Sequence, residues 1–123
     1  MSKRQIKRGD VWMIDLGKLH NGSIQDGYRP CVIIQNDIGN KHSPCVVICP
    51  LTSKNKRVMP THVNVNVEDG IPFDSIVMCE QIQTRCKKEI RGNKPMCHLS
   101  NNKMEEINKA LAISIGLELK EVM

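Results

Sequence analysis

Hydrophobic and polar residues alternate with the period of a strand along most of the chain, and recur with the period of a helix only near its end. Residues 9–16 set Trp12, Ile14 and Leu16 on one face and Val11, Met13 and Asp15 on the other. Residues 17–28 hold Gly17, Asn21, Gly22, Ser23, Asp26 and Gly27, a polar loop too long for a tight hairpin. The apolar run from Cys31 toward Gln35 predicts a strand buried on both faces. Residues 36–40 are dense in turn chemistry. A further strand is expected over 45–51, followed by a basic loop over 53–57. Residues 62–67 alternate strictly, with Val63, Val65 and Val67 inward and His62, Asn64 and Asn66 outward. After a turn at 68–72, one strand is expected from Ser75 to about Gln83, a short basic segment over 87–92 and a last short strand over 95–99. Ser100 can cap a helix, because its hydroxyl can accept from a free N–H of the first turn. Met104, Ile107, Leu111 and Ile115 then recur at helical spacing, carrying that helix to about Leu119. Strands in succession followed by one helix predict a mainly β fold: a small, strongly curved antiparallel sheet or barrel with the helix packed across it.

Composition narrows the partners. At 123 residues the chain is expected to form a single domain over 1–123. Lys3, Arg4, Lys7 and Arg8 make residues 1–8 read as a flexible basic arm. A net charge of +5 suits a polyanion, and serves plain solubility equally well. One Trp, one Tyr and one Phe leave little for base stacking on several aromatic platforms. Six cysteines lie mostly inside apolar runs, without a Cys-x-x-Cys pair or a signal peptide. They are expected to be reduced thiols acting as small hydrophobes in a cytoplasmic protein, and their spacing fits no standard zinc module. No apolar stretch approaches the length of a membrane span.

Two strand ends carry candidate chemistry. Gly27-Tyr28-Arg29-Pro30 puts a permanently charged guanidinium at the mouth of one apolar strand, and Pro50-Leu51-Thr52 puts a hydroxyl at the exit of the next. A rigid guanidinium fork beside a hydroxyl can handle a phosphate. The four histidines show no pairing in their spacing, and Asp10, Asp15, Asp37 and Glu80 are too scattered for a metal-carboxylate site.

The same segments resemble the MazF/PemK family of bacterial toxins. The resemblance rests on Lys7-Arg8-Gly9-Asp10-Val11-Trp12, Gly27-Tyr28-Arg29-Pro30 with Gln35-Asn36-Asp37, and Pro50-Leu51-Thr52. It continues through Pro60-Thr61-His62-Val63, Ser75-Ile76-Val77, Glu80-Gln81-Ile82 and Ala110-Leu111-x-x-Ser114, so it runs from about residue 6 to residue 117. It implies an SH3-like barrel of the PemK/CcdB type, assembled as a homodimer. It further implies metal-independent, sequence-selective cleavage of single-stranded RNA to 2′,3′-cyclic phosphate and 5′-hydroxyl ends, without a cofactor. A cognate antitoxin with an acidic segment would cover the groove. The family pattern places catalytic residues at Arg29 and Thr52.

Such cleavage must deprotonate the 2′-hydroxyl, offset charge on the phosphorane-like transition state and protonate the leaving 5′-oxygen. Arg29 is assigned to charge stabilisation, because a group with a pKa above about 12 is a poor base, and proton donation to the leaving oxygen is a second role open to it. Thr52 adds a hydroxyl hydrogen bond to the same phosphate. Lys54, Lys56 and Arg57 in one loop, and Arg85 and Lys87 with Lys88 and Arg91 in another, are candidates to grip RNA phosphates. Ser23, Gln25, Glu80 and Gln81 are candidates to meet base edges. Many family members carry a glutamate where this chain has Ile24, which cannot accept a proton, so the general base is left open. The rival readings are a non-catalytic DNA gyrase poison, as in the CcdB branch of the fold, and a plain RNA-binding barrel.

Overall fold

The computed structural model describes residues 4–18, 27–53 and 58–118. Eight strands and two helices are present among these residues: β1 (Asp10–Asp15), β2 (Tyr28–Ile33), α1 (Asp37–His42), β3 (Cys45–Thr52), β4 (His62–Val65), β5 (Ser75–Met78), β6 (Gln83–Cys86), β7 (Ile90–Arg91), β8 (Cys97–His98) and α2 (Asn101–Ile115). The strands form one antiparallel sheet in the order β4-β5-β3-β2-β1-β7, with β6 also on β3 and β8 also on β1. Two strands therefore change partner along one edge. β3 pairs with β6 through Cys45–Ile48 and with β5 through Leu51–Thr52. β1 likewise pairs with β8 near its start and with β7 near its end. Those switches curl the sheet into a half-barrel, in keeping with the mainly β, strongly curved antiparallel fold expected.

β1, β2 and β3 are buried on both sides. One apolar cluster joins Val11, Val32, Cys49, Leu51, Val63, Val65 and Val77 to Met104, Ile107 and Ala110 of α2. The other face holds Trp12, Ile14, Leu16, Cys31, Ile33, Val46, Ile48 and Ile90. This double burial explains why β2 reads as an unbroken apolar run. Ser100 caps α2 by accepting from the Lys103 N–H at 3.2 Å, and Gly116 ends it in the left-handed region at φ +75°.

Several details differ from the sequence expectation. Residues 37–42 form a helix, because the Asn36 side chain accepts from the Gly39 N–H and caps it. The strand expected from Ser75 to Gln83 breaks after Met78, and the chain resumes as β6 on another stretch of β3. Val67 is 70% exposed, since the chain leaves β4 for a 3-10 turn at Val67–Asp69. Ile115 is 58% exposed, so the buried stripe of α2 stops short of its last turn. The basic arm is anchored from Arg4 onward. Arg4 donates to the carbonyls of Ile90, Gly92 and Lys87 and lies over the Trp12 ring, and Arg8 donates to the Ile34 carbonyl and Asn108 Oδ1.

Candidate active site

The β2–β3 register sets the stage. Cys31 lies opposite Pro50, and following the ladder two residues outward brings Arg29 level with Thr52. Pro30 has no N–H to offer Leu51 across that gap. The Leu51 carbonyl instead accepts from Arg29 Nη1 at 3.3 Å, so the guanidinium lies against the peptide that leads into Thr52. Side chains alternate along both strands, so Arg29 and Thr52 share the face of Cys31 and Ile48.

Arg85 joins them on that face. Burial pushes the Cys31 thiol up to about 12, while the charges of Arg29 and Arg85 pull it back down. The thiol stays protonated and donates to the Arg29 carbonyl at 3.5 Å. The two guanidinium groups differ in use. Arg85 pairs with Glu89, also donates to the Asp15 carbonyl at 3.4 Å, and buries its Nε without a partner. Its charge is largely spent inside the fold. Arg29 is half-buried at the rim. Thr52, at the exit of its strand as expected, is only 4% exposed, and β5 pairs with it through Ile76.

The turn between β5 and β6 lies beside β3. The β5 pairing runs to Leu51 and β6 begins level with Ile48, so Glu80 and Gln81 lie in the turn between those two pairings. Glu80 accepts from Thr61 Oγ1 at 3.3 Å and meets His62 Nε2 at 3.1 Å. His62 is thus a correction: its side chain is 5% exposed, held under Glu80 rather than outward, and its Nδ1 is buried without a partner. Gln81 Nε2 lies 3.8 Å from Met78 Sδ, closing over that side chain.

Among the sequence candidates, Arg29 and Thr52 therefore come together, with Arg85 farther along the same face, while Glu80 bonds Thr61 and His62 and Gln81 meets Met78 in the turn after β5. Lys87 does not join them. Its N–H bonds Pro44 at the opposite end of β3, about 26 Å along the strand from Thr52, and its Nζ donates to the Asn40 carbonyl at 2.5 Å. Ser23, Gln25, Lys54, Lys56 and Arg57, and Ile24 with them, lie outside the described residues. The Thr61–Glu80–His62 network was not foreseen, since 18 residues separate His62 from its carboxylate. Among the described residues no three His, Cys, Asp or Glu side chains gather as metal ligands would. None of the described helices is long and apolar enough to cross a membrane.

Comparison with known proteins places this curled sheet among small β toxins. Residues 7–115 match the model of the PemK-like, MazF-like toxin of type II toxin–antitoxin systems. The chain belongs to that family. It is 43% identical over 114 residues to the endoribonuclease MazF of Staphylococcus saprophyticus, covering 91% of this chain and 92% of the relative. A mycobacterial endoribonuclease solved with its cognate antitoxin is similar at 30% identity and a TM-score of 0.78, covering 94% of this chain and 99% of that one. MazF from Deinococcus radiodurans shares the fold, with a TM-score of 0.79 at 17% identity, over 94% and 100% of the two chains.

Proposed function

We propose that this protein is a sequence-selective endoribonuclease toxin that cuts single-stranded RNA without a metal ion. The observation that carries the reading is the placement of Arg29 Nη1 against the Leu51 carbonyl, which sets a guanidinium beside the Thr52 backbone at a shared rim. Arg29 offsets the charge gathering on the non-bridging phosphate oxygens as the 2′-oxygen attacks. Thr52 donates its hydroxyl to the same group. Its burial means that the rim must shift slightly for the hydroxyl to reach the phosphate. The 2′-oxygen displaces the 5′-oxygen, leaving a 2′,3′-cyclic phosphate and a 5′-hydroxyl. Glu80 and Gln81 face the bases on either side of the scissile bond.

The protein acts in the cytoplasm as a homodimer. Exposed Ile113, Ile115 and Leu117 at the end of α2 support self-association. The family match over 7–115 supports one domain. An acidic antitoxin silences the toxin, because an anionic peptide and RNA compete for one cationic rim. The relative solved with its cognate antitoxin supports that pairing.

The test is incubation of a long, structure-poor RNA with purified protein in chelator, with the ends mapped. Cyclic phosphate ends at a short recurring sequence are expected. Intact RNA, or cuts that require added magnesium, would remove the proposal. Inhibition of gyrase supercoiling with intact RNA would turn it toward the gyrase poison.

A further inference from the structure

The β3–β6 register sets Cys45 directly opposite Cys86. One step outward, the Lys87 N–H donates to the Pro44 carbonyl at 2.9 Å, which makes that position a hydrogen-bonded one. Antiparallel ladders alternate, so Cys45 and Cys86 occupy a non-hydrogen-bonded position. Cα atoms there approach to about 4.5 Å and side chains lie closest. A disulfide needs Cα atoms roughly 4.4–6.8 Å apart, so this pair can be bridged with little backbone movement. Cys86 is exposed and Cys45 half-buried, and both are free thiols.

A second pair supplies the contrast. Continuing the β3–β5 ladder from Leu51 and Val77 brings Cys49 beside Cys79, and both are fully buried. The hydrogen bond to Cys79, with burial, holds the Cys49 thiol far above its ordinary range. That pair is adjacent but closed to reagents.

We propose that Cys45 and Cys86 form a reversible cross-strand disulfide, closed by small-molecule disulfides such as oxidised glutathione and opened by thiols. The Cys86 thiolate attacks one sulfur of the small disulfide, whose S–S bond breaks to release one small thiol. Cys45 then loses its proton and attacks the Cys86 sulfur, expelling the second. Two protein thiols are oxidised by two electrons, and the small disulfide is reduced to two thiols. Cys86 is exposed, so small thiols reach the bond and reopen it. It ties β6 to β3 between Arg85 and Lys87, beside a groove of about 1070 Å³ lined in part by Arg4, Lys7, Lys41 and Lys87.

The test treats the reduced, folded protein with oxidised glutathione, then unfolds it in denaturant, alkylates the remaining thiols and maps the peptides by mass. Two of the six cysteines should escape alkylation, in one peptide joining Cys45 to Cys86, and dithiothreitol should restore all six. C45S should leave Cys86 carrying a single glutathione. Six alkylated cysteines, a lasting glutathione on Cys86 of the unsubstituted protein, or a bond joining Cys49 to Cys79 would each overturn the assignment. The peptide map of the unsubstituted protein decides the matter even if a variant fails to fold.

Discussion

Asp10 Oδ1 lies 2.8 Å from His98 Nδ1, tying the first strand to the last across 88 residues. The other carboxylate oxygen accepts from Trp12 Nε1 at 3.2 Å and from the Lys7 N–H at 2.9 Å. Asp10 is 4% exposed, so these donors replace the water it gave up. Asp10→Ala strips all three donors of their partner, and the indole N–H of Trp12 is left unpaired within the core while the exposed His98 ring can turn to water. The expected cost is about 2–4 kcal/mol, read as a lower urea midpoint. An unchanged midpoint would mean that the network contributes nothing.

The proposed mechanism gives Arg29 the electrostatic role, so Arg29→Ala should lower kcat/KM on an RNA oligonucleotide by about 10²–10³. Binding should weaken much less. Arg29→Lys should recover little, since an ammonium cannot reproduce the two-pronged contact. Thr52→Val, close in volume to threonine, should cut the rate about tenfold or more while the fold persists by circular dichroism. If Arg29→Ala lost binding and cleavage in step, the protein would be an RNA-binding barrel.

The pattern of the chain located β1 to β5, β8 and the capped helix, because alternation and capping are local, but read β7 as part of a basic segment. It also brought Arg29 and Thr52 into view as neighbouring strand ends. Contacts distant in sequence stayed hidden. Periodicity placed His62 outward, but the turn after Met78 returns Glu80 over it. Nothing near Asp10 announces His98. The break after Met78 was equally invisible, since β6 is polar and is held by its pairing with β3 rather than by an apolar stripe. Family resemblance, rather than periodicity, separated Thr52 from an ordinary turn former.

Gly70 holds φ +98° at the end of the 3-10 turn, and a Cβ built there would sit 2.6 Å from the Cys97 Cβ. Both the backbone and the packing therefore exclude a larger residue. Gly70→Ala should destabilise by about 1–3 kcal/mol, measured by thermal or urea unfolding. Gly17 is also left-handed, at φ +72°, but nothing lies within 4 Å of its Cβ position. Gly17→Ala should therefore cost less, and equal losses would refute the crowding argument.

Asp37 accepts from the Arg8 N–H at 2.7 Å and from Asn40 Nδ2 at 3.0 Å, and these bonds hold its carboxyl below the ordinary 3.8. A depressed folded pKa stabilises above the unfolded value, and that contribution fades as pH falls toward the folded one. Stability lost between about pH 5 and pH 3 should therefore shrink in Asp37→Asn. The site is well exposed, so the effect should be small and should weaken in salt. A variant with the same acid profile as the unsubstituted protein would show that the bonds carry no linkage.

On the proposed reading, Glu80 serves recognition and not chemistry. Thr61 and His62 hold its carboxylate at the rim, beside Gln81, where it can accept from an exocyclic amino group of an unstacked base. Glu80→Gln keeps the shape but replaces one acceptor oxygen with an amide donor. That swap should move the distribution of cut sites on a long RNA while leaving the summed rate within about tenfold. Arg29→Ala, by contrast, should depress every site alike. His62→Ala should act like Glu80→Gln, because the carboxylate loses the partner that fixes its direction. If Glu80→Gln abolished cleavage at all sites without shifting their order, Glu80 would instead belong with the proton-transfer groups, filling the role that Ile24 cannot.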